Sequence, residues 1–166
     1  MAWQDYREYI KALEETGDAV RVTDEVDWDL EMGAITRRGC EKNGPAPLFE
    51  NIKGYPGCRA YGNPFATYRR FAVAFGLPPE ASFEAICNTY EERSKRRIKP
   101  VIVDEQFAPC KDNKLLGDDA DLHALPVPMV HDGDGGRYVG TWHIMAAKDL
   151  ESDWINWGMY RAMMCR

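Results

Sequence analysis

Two stretches near the C-terminus, residues 137–147 and 154–166, read as the arms of one antiparallel hairpin closed by a polar turn over residues 149–153. No other feature constrains the fold as much. In the second arm, alternation places Trp154, Asn156, Gly158 and Tyr160 on one side and Ile155, Trp157, Met159 and Arg161 on the other. An ordinary one-sided sheet would separate apolar from polar residues. Here an amide and a guanidinium sit among indoles, with both faces mixed, which is the pattern of a binding site. A lone two-stranded ribbon is marginally stable in water. The second arm is therefore expected to pair with strands supplied by a longer chain or by another polypeptide.

Upstream, the pattern is α/β. Trp3, Tyr6, Ile10 and Leu13 recur at helical spacing and Gly17 is a natural stop, predicting a helix over 3–16. Residues 19–23 alternate as a strand. A helix over 29–42 is expected, capped by Asp27 or Asp29 and ending at Asn43-Gly44. Strands are expected at 47–52 and 58–61, joined by a turn at 54–57, followed by helices at 67–75 and 82–97 with Pro78-Pro79 between them. From about Pro100 the texture changes to Pro, Asp and Gly spacers around short apolar runs. The expected organisation is an α/β (α+β) N-terminal domain, residues 1–115, followed at 116–166 by the first strands of an incomplete β domain.

Charge narrows the function. A net charge of −6 gives no basic face to displace counterions from phosphates, so no nucleic-acid partner is expected. The cluster Arg93, Lys95, Arg96 and Arg97 suits the carbonyl end of a helix instead. No apolar run approaches the ~20 residues that span a bilayer, and the first residues lack a signal-peptide pattern, so a cytoplasmic protein without a membrane partner is expected. The five cysteines are odd in number and scattered, and read as reduced, mostly packed thiols.

Few residues offer chemistry. Asp132-Gly-Asp134-Gly-Gly136 could line a cation or cradle an anion, but neither an EF-hand Glu nor a Walker lysine follows. A tight glycine-permitted entry to the next strand is the favoured reading. His123, His131 and His143 form no metal pattern. Asn156 and Arg161 differ: an amide oxygen is a hard neutral ligand for Mg²⁺ or Mn²⁺, and a guanidinium is a fork matched to a carboxylate. The plain alternative, Arg161 pairing a surface acid, weakens where Thr141, Asn156 and Arg161 share adjoining strands with four aromatic residues.

The run Asp134-Gly-Gly-Arg-Tyr-Val-Gly-Thr141-Trp142-His, followed by Trp154-Ile-Asn156-Trp-Gly158-Met159-Tyr160-Arg161-Ala-Met, resembles the flavin-binding entrance of the UbiD decarboxylases. Pro47-Leu-Phe-Glu-Asn-Ile-Lys-Gly-Tyr55 and Asp5-Tyr-Arg-Glu-Tyr-Ile10 resemble the N-terminal region of that family. The resemblance implies that residues 116–166 begin a split β-barrel binding prenylated FMN. It implies Asn156 as a ligand of a divalent metal, usually Mn²⁺, that bridges to the flavin phosphate, with K⁺ nearby. Arg161 would hold the substrate carboxylate as the catalytic residue, while Thr141, Trp142, Gly158, Met159 and Tyr160 line the cofactor. The implied reaction is reversible, non-oxidative loss of CO₂ from an aromatic, phenolic or benzoic, or α,β-unsaturated acid. A flavin prenyltransferase would supply the cofactor, and homo-oligomers are expected. Family members are much longer and take a histidine and a glutamate for the metal, and a pair of acids for the proton relay, from later segments. This chain alone is expected to lack turnover. The alternative is a non-catalytic α/β module for oligomerisation or partner binding.

Overall fold

The computed structural model describes residues 3–99 and 101–165. Met1, Ala2, Pro100 and Arg166, the last residue of the expected second arm, lie outside the described residues. Mixed helices and small, unclosed sheets make up the chain, which divides into two compact units, each built from two separated stretches.

The first unit takes residues up to Ala19 and residues 65–122. Helix α1 (Tyr6–Glu15) starts where the Asp5 carboxylate accepts from the backbone N–H groups of Arg7 and Glu8, satisfying donors that a first turn leaves unpaired. It stops at Gly17, whose φ of 74° lets the N–H of Asp18 return to the Leu13 carbonyl at 2.7 Å. Leu13 is fully buried and Tyr9 nearly so, the latter stacked on Phe65 with ring centroids 5.2 Å apart. The Tyr9 hydroxyl donates to the Arg70 carbonyl on α3 (Tyr68–Ala74). Thr67 caps α3 and Ser82 caps α4 (Phe83–Ser94). Asp18, nearly buried, receives both Nε and Nη2 of Arg69 at 3.2 Å. The Val101–Val103 run carries no regular structure and is exposed, and four single 3₁₀ turns follow between residues 105 and 124.

The second unit takes residues 20–64 and 123–166. Strands β1 (Ala19–Val22), β2 (Ala46–Phe49) and β3 (Ala60–Tyr61) lie side by side in that order, with β2 and β3 antiparallel. Helix α2 (Glu31–Glu41) packs on β2, and Val26, Met32, Phe49 and Ile52 form the core. The α2 start departs from expectation. Leu30, at φ 66°, is the cap residue and makes no side-chain cap bond. The Asp27 carboxylate turns instead to the N–H of Asp29 and to Lys53, and the first turn is met only by backbone groups, with Asp27 O accepting from Met32 N–H and Asp27 N–H donating to the Glu31 carboxylate. The stretch before the C-terminal strands lies along this loop through Leu30 N–H to Met129 O and Met129 N–H to Trp28 O. Gly33 lets α2 touch Val130, since a Cβ there would overlap its carbonyl oxygen. Among the described residues, no helix is long and apolar enough to cross a membrane.

Candidate functional site

The expected long hairpin is present but broken. Its arms pair as β5 (Ile144–Lys148) with β6 (Ile155–Met159), and separately as β4 (Tyr138–Gly140) with β7 (Ala162–Met163). Between these ladders three residues, Thr141, Trp142 and His143, face only two, Tyr160 and Arg161. The register is irregular there too, pairing Tyr138 with Met163 and Gly140 with Ala162. Unequal residue numbers bend a ribbon and re-aim its side chains, as a bulge does. The single alternation expected through Arg161 therefore stops at Met159.

Within β5–β6 the register is regular, and residues opposite one another share a face. Ala147 with Asn156 and Met145 with Gly158 form one face, while Lys148 with Ile155, Ala146 with Trp157 and Ile144 with Met159 form the other. Tyr160 extends the first face by its side chain. The Asn156 Nδ2 donates to its hydroxyl at 3.2 Å, and its ring lies so close over Gly158 that a Cβ there would sit 2.5 Å from Cε2. Asn156, Gly158 and Tyr160 therefore form one cluster. The Asn156 amide oxygen has no hydrogen-bond partner among the described residues, and Arg161 is exposed with no ion pair among them. Met159 points to the opposite face from Asn156, and Trp142 and Arg161 lie in the break. Both faces of the ribbon are open, Met145 being 43% exposed on the first and Trp157 68% on the second, and Trp142 in the break is 68% exposed.

The turn between the arms is held by polar contacts. The Ser152 hydroxyl donates to Asp149, which with nearby backbone N–H groups holds the Asp149 carboxyl below its ordinary range. At the break, His143 packs so tightly against Gly140 that a Cβ on Gly140 would collide with the imidazole, and the His143 Nδ1 is buried without a partner. The Asp132–Gly136 loop is a turn: Gly133 has φ 89°, and Asp134 accepts from the His131 N–H and lies 3.6 Å from His131 Nδ1. Among the described residues, no three His, Cys, Asp or Glu converge as a metal cluster, so Asn156 is a single hard oxygen rather than a coordination set.

Two features were not read from the sequence. Arg137 is a clamp, donating from Nε to Val127 O and from Nη2 to Leu125 O and Tyr55 OH, with its guanidinium 4.0 Å from the Trp28 ring centroid. Its hydrogen-bond partners lie as far as 82 residues away, and Trp28 farther still, beyond the reach of any local pattern. The second is a cleft of about 690 Å³ within the second unit, walled by α2, β3, β4 and the stretch Arg137 holds. Thr141 lines it; the other expected site residues do not.

The 3-octaprenyl-4-hydroxybenzoate carboxy-lyase N-terminal domain matches residues 10–89, and the Rift-related domain of the same carboxy-lyase matches residues 101–166. The chain belongs to the UbiD family. It is 37% identical to pyrrole-2-carboxylic acid decarboxylase of Pseudomonas aeruginosa, covering 96% of this chain and 34% of that protein. Vanillic acid decarboxylase of Sedimentibacter hydroxybenzoicus in its closed form superposes with a TM-score of 0.91 at 28% identity, over 100% of this chain and 36% of that one. HmfF of Pelotomaculum thermopropionicum, an evolved dimeric form in complex with prFMN, superposes at 0.78 and 28% identity, over 93% of this chain and 34% of that one. The chain spans about a third of the length of the curated relatives it matches. Its fold is that of the UbiD N-terminal region.

Proposed function

We propose that the chain is the N-terminal part of a reversible, non-oxidative decarboxylase of aromatic, phenolic or benzoic, or α,β-unsaturated carboxylic acids. In this reading residues 116–166 open the prenylated-FMN-binding domain, and the chain alone does not turn over. The observation that carries it is the β6 cluster. Among the described residues, an amide oxygen without a partner, a glycine and a phenol cluster on one face, beside an exposed guanidinium with no acid on it, in a UbiD chain. The prFMN held by HmfF supports the cofactor.

The fit to the implied groups is partial. Asn156 offers one hard ligand for Mn²⁺, and the remaining ligands, like a K⁺ site, would come from outside the described residues. Thr141, Trp142, Gly158, Met159 and Tyr160 would line the cofactor, with the backbone at Gly158 approachable once Tyr160 swings aside. Prenylated FMN, when bound, supplies the electron sink for C–C cleavage. Arg161 would orient the substrate carboxylate, favouring its placement while leaving it able to depart as neutral CO₂. A flavin prenyltransferase supplies the cofactor, and the protein acts in the cytoplasm as a homo-oligomer.

The experiment is a titration with prenylated FMN, Mn²⁺ and K⁺ followed by hydrogen exchange. Slowed exchange at residues 156–161 is expected, with loss of the effect in Asn156→Ala. Unchanged exchange at saturating flavin would remove the flavin site from this ribbon. A complete polypeptide carrying the chain that released CO₂ from no aromatic or acrylic acid would end the enzyme reading. The open apolar faces of β5–β6 favour the second reading, a partner-binding module, and an assembly that forms without flavin and buries both indoles would support it.

A further inference from the structure

We infer that the cleft of the second unit is a carboxylate site separate from Arg161, built for an acid with an apolar body. Its floor is apolar: Met32, Phe49 and Val127 all line it and all are nearly fully buried. Its polar rim is cationic. Arg37 and Arg59 both line the cleft and no Asp or Glu does, in a chain whose net charge is −6.

The acids nearest these arginines neutralise them only in part, Arg59 least. Glu41 is shared between Arg37 at 3.0 Å and Arg38 at 3.2 Å. Glu50 is taken by Arg21 at 2.6 Å and stands 4.0 Å from Arg59. Glu41 is thus divided between two guanidiniums and Glu50 is committed mainly to Arg21, so positive charge remains at the mouth, chiefly on Arg59. The third basic group on the lining, His131, is met by Asp134 at 3.6 Å. Guanidinium forks match a carboxylate in geometry, while the buried floor rewards an apolar body. The volume of about 690 Å³ lies in the range of small-molecule sites, commonly ~300–1,000 Å³. Among the residues assigned to flavin and substrate, only Thr141 touches this cleft, so the inference does not rest on the decarboxylase reading.

The test is a titration of the chain with 2-naphthoate, followed by amide chemical shifts. Saturable shifts are expected on α2, β3 and residues 125–131, with a dissociation constant of about 1 mM, the scale for a ligand of this size in an open cleft. Both arginines are largely exposed, so Arg59→Gln and Arg37→Gln should fold normally and weaken binding roughly tenfold each. The neutral isostere 2-naphthamide should bind at least ~10-fold more weakly, and inorganic phosphate should not compete at the same concentration. Equal binding of the amide would refute the charge argument. Phosphate binding as tightly as naphthoate would refute the apolar floor. Loss of binding in Arg161→Gln, with shifts moving to β6, would assign the acid to the proposed substrate site and overturn the inference, while leaving the decarboxylase reading intact.

Discussion

Replacing Arg137 by methionine should loosen the second unit more than any exposed change in the chain. Methionine keeps an apolar stem against Trp28 but removes every donor. The Val127 carbonyl, on a residue only 7% exposed, then loses its charged partner, worth about 1.5 kcal/mol. The Tyr55 hydroxyl loses its contact at 2.8 Å for about 1 kcal/mol, and water recovers part of that at the more open Leu125 carbonyl. The lost stacking over Trp28 at 4.0 Å adds about 1 kcal/mol. The sum is about 3 kcal/mol, which for a chain of this size lowers Tm by roughly 6–12 °C. Urea denaturation followed by tryptophan fluorescence measures it. Arg137→Lys should fall between, because an ammonium keeps the charge over the ring and reaches one carbonyl rather than two. A Met variant within about 0.5 kcal/mol of the parent, the range of ordinary surface changes, would refute the clamp.

Leu13→Ala removes a fully buried side chain from the first unit and should cost about 3 kcal/mol, read by the same denaturation. Gly158→Ala places a methyl against the Tyr160 ring and should displace it, breaking the bond to Asn156; NOEs between the Asn156 amide protons and the Tyr160 ring should vanish while the β5–β6 ladder persists. The Lys53 ammonium beside Asp27 holds that carboxyl below its ordinary range, so its folded pKa lies under the unfolded one. The contribution is present above about pH 4 and is lost as pH falls through the lowered value. Lys53→Met should return the Asp27 titration, followed by carboxyl NMR, upward toward its ordinary position; no upward movement would deny the pairing.

Much of the first unit was legible because its signals are local. A stop and an apolar stripe act within a turn or two of the residues that form them, so α1, α3 and α4 fall inside the expected spans 3–16, 67–75 and 82–97, while the caps Asp5, Thr67 and Ser82, which set where each begins, were supplied by the structure. The α2 start failed by the same logic. Asp27 had the chemistry of a cap, but its carboxylate is engaged by Lys53, 26 residues away, and by the Asp29 N–H. In the site, the alternation that joins Asn156 and Gly158 survived, because a regular ladder preserves the two-residue period, while Tyr160, past the ladder, reaches that face through its hydroxyl and ring contacts. The continuation to Arg161 did not, since it depended on equal numbers of residues facing each other across the break.

Left to itself, then, the order of residues determined which segments would be helix or strand, and the UbiD motifs that fixed the family, because these depend on neighbours a few bonds apart. The tertiary structure alone decided where the ribbon breaks, what Arg137 grips and that a cationic cleft with an apolar floor exists. Those features need residues from 28 to 163 brought together, and local sequence cannot do that; the cleft alone, from Met32 to Thr141, depends on the packing of α2, β3 and the clamped stretch around a shared core.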